Sequence, residues 1–341
     1  MYTDVTTVLK RGRTFNYIFG GRGTGKTYSA LLRGARDFAP FTLMRRTQQE
    51  VDMITSGNEE YNPFLRINQN EHTNFHVDKA NRLLGRIYSG DKGDEEFPVK
   101  FCGTVVALST ISTVRGVELS ESNLIIFDEF IPEQHKRKIK DEASAFFNAY
   151  ETISRNRELE GKKPIQVLFL TNANNLSNPI LYEVGLIPTI ERMLRKGQKF
   201  SDLPERDCTI WILDDEEFKD KKRKTALYKF TRGTKFSGMA LENDFSFDDF
   251  AYIGKQQLVK YNPVCAIDDI GVWKGKDSES GYYINRAVKA CAEKIESSNE
   301  ADLEAFRRTK GHRIYMAFLA GLCTFEDYYC KEKILDIVRR K

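Results

Sequence analysis

A glycine-rich stretch from Gly20 to Thr27 carries the side chains most suited to chemistry in this sequence. It fits the pattern G-x-x-x-x-G-K-[ST] of a phosphate-binding loop. Backbone N–H groups in such a loop, at a helix N-terminus, favour an anion. The pattern predicts that Lys26 reaches the β- and γ-phosphates and that Thr27 binds Mg²⁺. We therefore expect ATP and Mg²⁺ as cofactors, bound by Gly20, Gly21, Arg22, Gly23, Thr24, Gly25, Lys26, Thr27 and Tyr28.

Two adjacent carboxylates follow the apolar run that begins at Asn123. The run is typical of a strand buried on both faces of a parallel sheet. Asp128, at its carboxyl end, is predicted to hold Mg²⁺ together with Thr27. Glu129 is predicted to orient and deprotonate the attacking water. The alternative is that Glu129 only pairs with a basic neighbour.

Polar residues also follow a third apolar run, Pro164 to Leu170. Asn172 and Asn174 lie where a side chain can sense the γ-phosphate or the water. Asparagine is equally common at strand ends because its side chain supports turns. Both interpretations stay open on the sequence alone.

Arginines occur at two positions that could serve the same chemistry. Arg45 and Arg46 end the apolar run from Phe41, so they could touch phosphate or DNA, or form a surface ion pair. Arg155 and Arg157 end a predicted helix from Asp141 to about Arg155. They could interact with the helix dipole, or one could act as an arginine finger on a neighbouring subunit's γ-phosphate.

These residues need a parallel sheet to bring them together, and the pattern predicts one. Apolar strands alternate with helices, from Thr27 to Phe38 and again after Asp141. The short runs at Asn74–Val77 and Leu83–Tyr88 predict a β-hairpin. We expect a P-loop ATPase domain at residues 1–203, a linker or lid module at 204–243, and an α+β domain at 244–341.

The later segments are less decisive. The basic run Lys219–Lys224 could contact nucleic acid or be a charged, flexible linker. In the last domain, the patterns predict short strands, then helices at Arg286–Glu296, Glu300–Gly321 and Phe325–Lys341.

Composition indicates an ordinary globular protein. The net charge of +4 is too small to demonstrate a polyanionic partner by itself. The six cysteines include no C-x-x-C pair and suit a reducing compartment, as small buried apolar groups. No apolar run approaches the length of a membrane span, and we expect no membrane partner and a cytoplasmic location.

Taken together, these stretches resemble the genome-packaging ATPases of small tailed phages, the φ29-like type. The resemblance covers residues 15–180, about half of the chain. It rests on Gly20–Thr27, Phe41–Arg46, Ile126–Ile131, Ser154–Glu158, Leu170–Ala173 and Asn178–Pro179, and more weakly on Lys222–Thr225 and Gly271–Trp273.

The resemblance implies an additional-strand P-loop sheet of the RecA and terminase type, with helices on both faces. It implies a homomeric ring, with a pentamer expected, at the portal of a viral procapsid in the host cytoplasm. The ring would thread double-stranded DNA inward. Arg155 falls on the family's trans-acting finger, and Arg115 on a second basic residue that faces the neighbouring site. The C-terminal region would look like an RNase H-type nuclease without its acids, and would contact the portal or a structural RNA.

Other functions remain as alternatives. A terminase that also cuts DNA would need converging carboxylates, for which Asp248, Asp249, Asp268, Asp269 and Asp277 are candidates. A helicase, or a nucleotide-dependent assembly switch without motor activity, would share the loop and the paired acids.

Overall fold

The computed structural model describes residues 3–90, 98–113, 121–132, 139, 141–172, 176, 178–214, 216–234, 237, 253–277 and 281–338. The chain divides into two compact units, residues 1–245 and 246–341. Each unit is described by itself.

The first unit is built on a nine-stranded sheet with the order β3-β4-β5-β2-β6-β7-β1-β9-β8. Its strands are β1 (Phe15–Gly20), β2 (Phe41–Arg45), β3 (Phe75–Lys79), β4 (Leu84–Ser89), β5 (Lys100–Ala107), β6 (Leu124–Asp128), β7 (Gln166–Asn172), β8 (Phe200–Leu203) and β9 (Cys208–Ile212). The strands from β5 to β9 in this order run parallel. The edge strands β3, β4 and β8 are antiparallel to their neighbours.

The strand order decides which side chains meet. β7 is inserted between β1, which enters the glycine loop, and β6, which ends in Asp128. This is the arrangement expected of an additional-strand sheet. β2 lies on the other side of β6, so Arg45 and Asp128 end neighbouring strands. The carboxyl ends of β1, β2, β6 and β7 therefore share one edge, where ligands of open α/β sheets bind.

Helices cover both faces of this sheet. They are α1 (Thr6–Leu9), α2 (Lys26–Asp37), α3 (Gln48–Ile54), α4 (Leu65–Glu71), α5 (Glu142–Ser154), α6 (Pro179–Glu183), α7 (Ile187–Arg195), α8 (Glu216–Arg223) and α9 (Ala226–Phe230). On one face, Ala30 and Leu31 of α2 pack with Ile18 and Leu168 in the main apolar core. On the other face, Phe146 of α5 stacks on Phe127. Alternate residues of each strand thus reach opposite faces, as strand geometry requires.

Residues 204–243 were predicted to form a linker or lid module. The described residues of this segment lie in the first compact unit, residues 1–245. Strand β9 pairs with β1 over Phe15–Phe19, and the hairpin of β8 and β9 crosses the expected boundary at residue 203. The predicted hairpin near residues 74–88 is confirmed as β3 and β4, at the opposite edge of the sheet.

The second unit has a five-stranded sheet with the order β13-β10-β11-β12-β14. Its elements are β10 (Tyr261–Ile267), β11 (Ile270–Gly275), β12 (Tyr282–Asn285), β13 (Lys294–Ile295), α10 (Glu300–Phe306), α11 (His312–Leu319), β14 (Cys323–Phe325) and α12 (Tyr328–Val338). A turn of π-helix, Arg307–Gly311, joins α10 to α11. The helices bury Leu303, Phe306, Ile314 and Ile334 against the sheet.

The helix expected at Arg286–Glu296 is wrong. This segment forms turns and the short strand β13. The side-chain oxygen of Asn285 accepts hydrogen bonds from the N–H of Ala287 and from Trp273 Nε1. A side chain that captures a nearby backbone N–H competes with helix formation.

All six cysteines are buried free thiols, as the sequence predicted. Among the residues described, no helix combines the length and apolar character needed to cross a membrane.

Candidate nucleotide-binding site

The glycine loop connects β1 to α2 in the geometry of an anion cradle. Gly23 and Gly25 have φ angles of +80° and +86°, which residues with a side chain rarely adopt. Gly25 caps the N-terminus of α2, so the first N–H groups of the helix face the loop. From the N-terminal segment, Thr3 donates its N–H and its hydroxyl to the Thr24 carbonyl, at 3.0 and 2.8 Å.

Lys26 is buried inside this cradle. Its Nζ donates to the carbonyls of Gly20 and Gly21, both at 2.9 Å, and lies 3.4 Å from Oδ1 of Asn172. Burial lowers the pKa of Lys26 to about 8; the Asp128 carboxylate opposes this shift, and the nearby ammonium of Lys222 adds to it. The site therefore holds a cation that is costly to bury without an anion beside it.

Thr27 and Asp128 meet across the sheet edge. The hydroxyl of Thr27 donates to Oδ1 of Asp128 at 3.0 Å. Burial raises the pKa of Asp128, and the guanidinium of Arg45 and the Thr27 hydroxyl act in the opposite direction. A hydroxyl beside a carboxylate supplies the oxygen ligands that Mg²⁺ prefers.

Glu129 follows Asp128 with an unusual backbone. Its φ is +53°, a conformation that non-glycine residues hold only where the surroundings enforce it. The side chain is 41% exposed. Together these features turn the carboxylate out of the sheet and toward solvent at the cavity.

Arg45 joins the two acidic residues, so Glu129 does pair with a basic neighbour, as the alternative interpretation of the sequence allowed, although the sequence did not identify Arg45 as that neighbour. Its Nη1 lies 2.6 Å from Oδ2 of Asp128, and its Nη2 lies 3.2 Å from Oε2 of Glu129. Its Nε has no hydrogen-bond partner among the described residues. A surface ion pair was one of the two alternatives for Arg45, and the ion pair found here is largely buried. The sequence does show that Arg45 and Asp128 both lie at the ends of apolar strands. Only the strand order shows that these two strands are neighbours.

Arg46 is fully buried and pairs with a helix instead of touching DNA or phosphate. Its Nε and Nη2 donate to the two carboxylate oxygens of Glu142, at 2.8 and 3.0 Å. Both side chains are 2% exposed. This contact fixes the start of α5 to the carboxyl end of β2.

A cavity of about 190 Å³ lies in front of these groups. Its lining combines the loop, the paired acids and the end of β7: Gly23, Thr24, Gly25, Lys26, Thr27, Tyr28, Asp128, Glu129, Thr171 and Asn172. The residues fit Mg²⁺ with a nucleotide, because N–H donors and a buried ammonium face oxygen ligands across one cavity.

Arg155 lies away from this cavity in the same chain. Helix α5 has 13 residues, a length of about 20 Å. It starts beside Arg46 at the carboxyl edge of the sheet, and near its other end Tyr150 donates its hydroxyl to the carbonyl of Ile165, just before β7 begins. Arg155 is exposed, with a φ of +48°. Arg157 instead bonds the carbonyls of Ser122 and Lys163, both at 2.9 Å.

Several predicted residues lie outside the described part of the chain. These are Arg115, Asn174, Asp248 and Asp249. Asp268 and Asp269 lie in the second unit, where Lys333 Nζ is 3.0 Å from Asp268 and 2.5 Å from Asp269. Tyr329 also donates to Asp269.

Sequence similarity links this chain to known proteins. The family model described as "Podovirus DNA encapsidation protein (Gp16)" matches residues 1–340. The DNA packaging protein of Bacillus phage B103 is 28% identical over 254 residues, 73% of this chain and 70% of that protein. The corresponding protein of Bacillus phage PZA is 26% identical over 254 residues, covering 73% and 67%.

A solved structure shares the fold. The structure of the bacteriophage Phi-29 viral genome packaging motor assembly superposes with a TM-score of 0.65, at 21% identity, over 99% of each chain.

Proposed function

The chain belongs to the podovirus DNA encapsidation protein (Gp16) family, and from that membership we propose that it is an ATP-hydrolysing motor that moves double-stranded DNA into a preformed capsid. The observation that carries the proposal is the meeting of Lys26, Thr27, Asp128 and Glu129 at one cavity. Such an arrangement serves phosphoryl transfer through positioning and charge stabilisation.

Binding uses groups of the loop and of β6. The loop N–H groups and Lys26 hold the phosphates, while Thr27 and Asp128 hold Mg²⁺. Mg²⁺ held by these two residues would supply positive charge for the phosphoryl-transfer reaction. Tyr28 and Asn172 line the same cavity, and Oδ1 of Asn172 lies 3.4 Å from Nζ of Lys26.

Glu129 is the proposed general base. It lines the cavity, and its carboxylate lies 3.2 Å from Nη2 of Arg45, so it can orient a water molecule and accept its proton. Arg45 holds the carboxylates of Asp128 and Glu129 in fixed positions. The ion pair and the base role are thus compatible.

Arg155 is the proposed finger for a neighbouring subunit. Its position at the far end of α5 is too distant for the cavity of its own chain, whereas its exposure leaves it accessible to another chain. The bonds from Arg157 to backbone carbonyls support a structural role for that residue. Arg115 is proposed as a second basic residue at the same interface.

We propose that the chain assembles as a homomeric ring, a pentamer, on the portal of the procapsid in the host cytoplasm. DNA is held through its backbone, because a packaging motor must accept every sequence. The second unit is proposed to be an RNase H-like domain without nuclease activity that contacts the portal or a structural RNA. Its Asp268 and Asp269 are paired with Lys333, which supports a structural use of these acids.

The substitution Glu129→Gln tests this proposal. It removes the base but keeps the size of the side chain, so ATP binding should persist while hydrolysis and DNA packaging fall by about 10²-fold or more. Nucleotide affinity, ATPase rate and packaging into procapsids are measured together. Undiminished hydrolysis would place the base elsewhere, and packaging that persists without hydrolysis would refute the motor.

A further inference from the structure

The basic run that follows β9 lies against the phosphate loop. Helix α8 carries Lys222, whose Nζ donates to the backbone carbonyl of Arg22 in the loop. A Cβ placed on Gly23 would lie 3.5 Å from the ring of Phe218 and 3.7 Å from the Nζ of Lys222. The segment expected as a linker or DNA contact therefore borders the nucleotide cradle.

Aromatic side chains fix the position of Lys222. Its Nζ lies 5.1 Å from the ring centre of Phe218 and 5.3 Å from that of Tyr228 on α9. Tyr228 is buried, and its hydroxyl lies 3.4 Å from the same Nζ. Cation–π contacts of this kind hold an ammonium group without neutralising it.

Charge pairing distinguishes Lys222 from its neighbours on α8. Lys219 pairs with Asp214 and Glu216, Lys221 pairs with Glu217, and Arg223 pairs with Asp220. Lys222 has no carboxylate within ion-pair distance among the described residues. It also repels Lys26 across the loop. Two ammonium groups that contact carbonyls of one loop built for anions are best satisfied by a polyphosphate.

We propose that Lys222 is a nucleotide-binding residue, whose ammonium group binds phosphate oxygens of ATP from a helix that packs on the loop, in addition to Lys26 within the loop. The proposal rests on the nucleotide site of the proposed function and adds a ligand from a separate element. Helices α8 and α9 then respond to nucleotide, because Phe218 and Tyr228 move with the ammonium they hold.

The test compares Lys222→Met with Lys221→Met in the full-length chain. Methionine keeps the apolar stem against Phe218 and Tyr228 but removes the charge. Lys221→Met makes the same charge change on the same helix, at an exposed residue. Binding of ATP and ADP with Mg²⁺, of adenosine, and of double-stranded DNA is measured for each variant. Thermal unfolding confirms that each remains folded.

We expect Lys222→Met to weaken ATP binding about tenfold, the loss of one charge-assisted hydrogen bond. ADP should lose less affinity, adenosine none, and Lys221→Met should bind ATP as the unmodified chain does. Lys222→Arg should retain most of the affinity because it keeps the charge, and it serves as a second variant if the methionine form is unstable.

ATP binding that is unchanged in Lys222→Met would overturn the proposal, and a loss confined to DNA binding would assign the residue to DNA. Lys26→Ala separates this failure from failure of the nucleotide site itself. If Lys26→Ala loses ATP while Lys222→Met does not, only the role of Lys222 is rejected. If neither variant loses ATP, the proposed nucleotide site is rejected as well.

Discussion

At the scale of single residues, Arg45 compensates the negative charge of two neighbouring carboxylates. Asp128 and Glu129 are adjacent carboxylates, and burial raises the pKa of Asp128, an effect to which the nearby Glu129 carboxylate adds and which Arg45 opposes. The planar guanidinium contacts one oxygen of each. An ammonium group is a compact point charge and cannot reproduce this two-pronged contact.

The substitution Arg45→Lys should therefore affect turnover more than binding. We expect kcat to fall on the order of 10²-fold, because Glu129 loses its fixed position, while ATP affinity changes little. Steady-state ATPase kinetics and nucleotide titrations give the two quantities. Arg66→Lys is the matched control, since exposed Arg66 contacts Gln69 on its own helix. Equal losses in affinity and turnover would contradict a positioning role.

At the scale of elements, the buried pair of Arg46 and Glu142 fixes helix α5 to the sheet. Removing one partner from a buried ion pair leaves the other charge without compensation. Nη1 of Arg46 already lacks a hydrogen-bond partner within the described part of the chain, so Glu142 carries most of the compensation.

We expect Glu142→Ala to lower the free energy of unfolding by about 3–5 kcal/mol. Replacing both residues with methionine should recover much of that loss, because two apolar side chains leave no charge behind. Urea denaturation measures the difference. Glu151→Ala, at an exposed position of the same helix, should change stability by less than about 0.5 kcal/mol. A comparable effect at both glutamates would exclude a special role for the buried pair.

The sequence predicted the strands and helices near the site better than the contacts between them. Gly20–Thr27 and Asp128–Glu129 were found because loop chemistry and buried strands leave local patterns. The partners of Arg45 and Arg46 depend on β2 lying beside β6, and no local sequence pattern reveals the order of strands in a sheet. The contact of Lys222 with the glycine loop was also not predicted, because a run of charged residues does not show which part of the chain it packs against. The prediction of a helix at 286–296 was wrong because the Asn285 side chain bonds the N–H of Ala287, and this interaction outweighs the helical spacing of the apolar residues.

At the scale of the whole molecule, the proposed site needs groups from separate chains. Arg155→Ala alone should lower kcat by about 10³-fold or more, the worth of an arginine finger. Glu129→Gln alone should be inactive. Mixing the two variants should restore part of the activity, because some interfaces combine an intact Glu129 with a neighbour's intact Arg155.

ATPase rates across a series of mixing ratios measure this restoration. Glu129→Gln mixed with Lys26→Ala is the control, since both changes damage the same cradle and no interface becomes complete. Absence of any recovery in assemblies shown to contain both variants would reject Arg155 as the finger.

The course of α5 from one edge of the sheet to the other has a further consequence. The cradle and the exposed arginine lie at opposite edges of the sheet, so in the proposed ring each chain would offer its cradle to one neighbour and Arg155 to the other, a heterologous contact. An open assembly formed by this head-to-tail contact would leave one terminal cradle without a donor and one terminal arginine without a cradle. Closing the ring would complete every site.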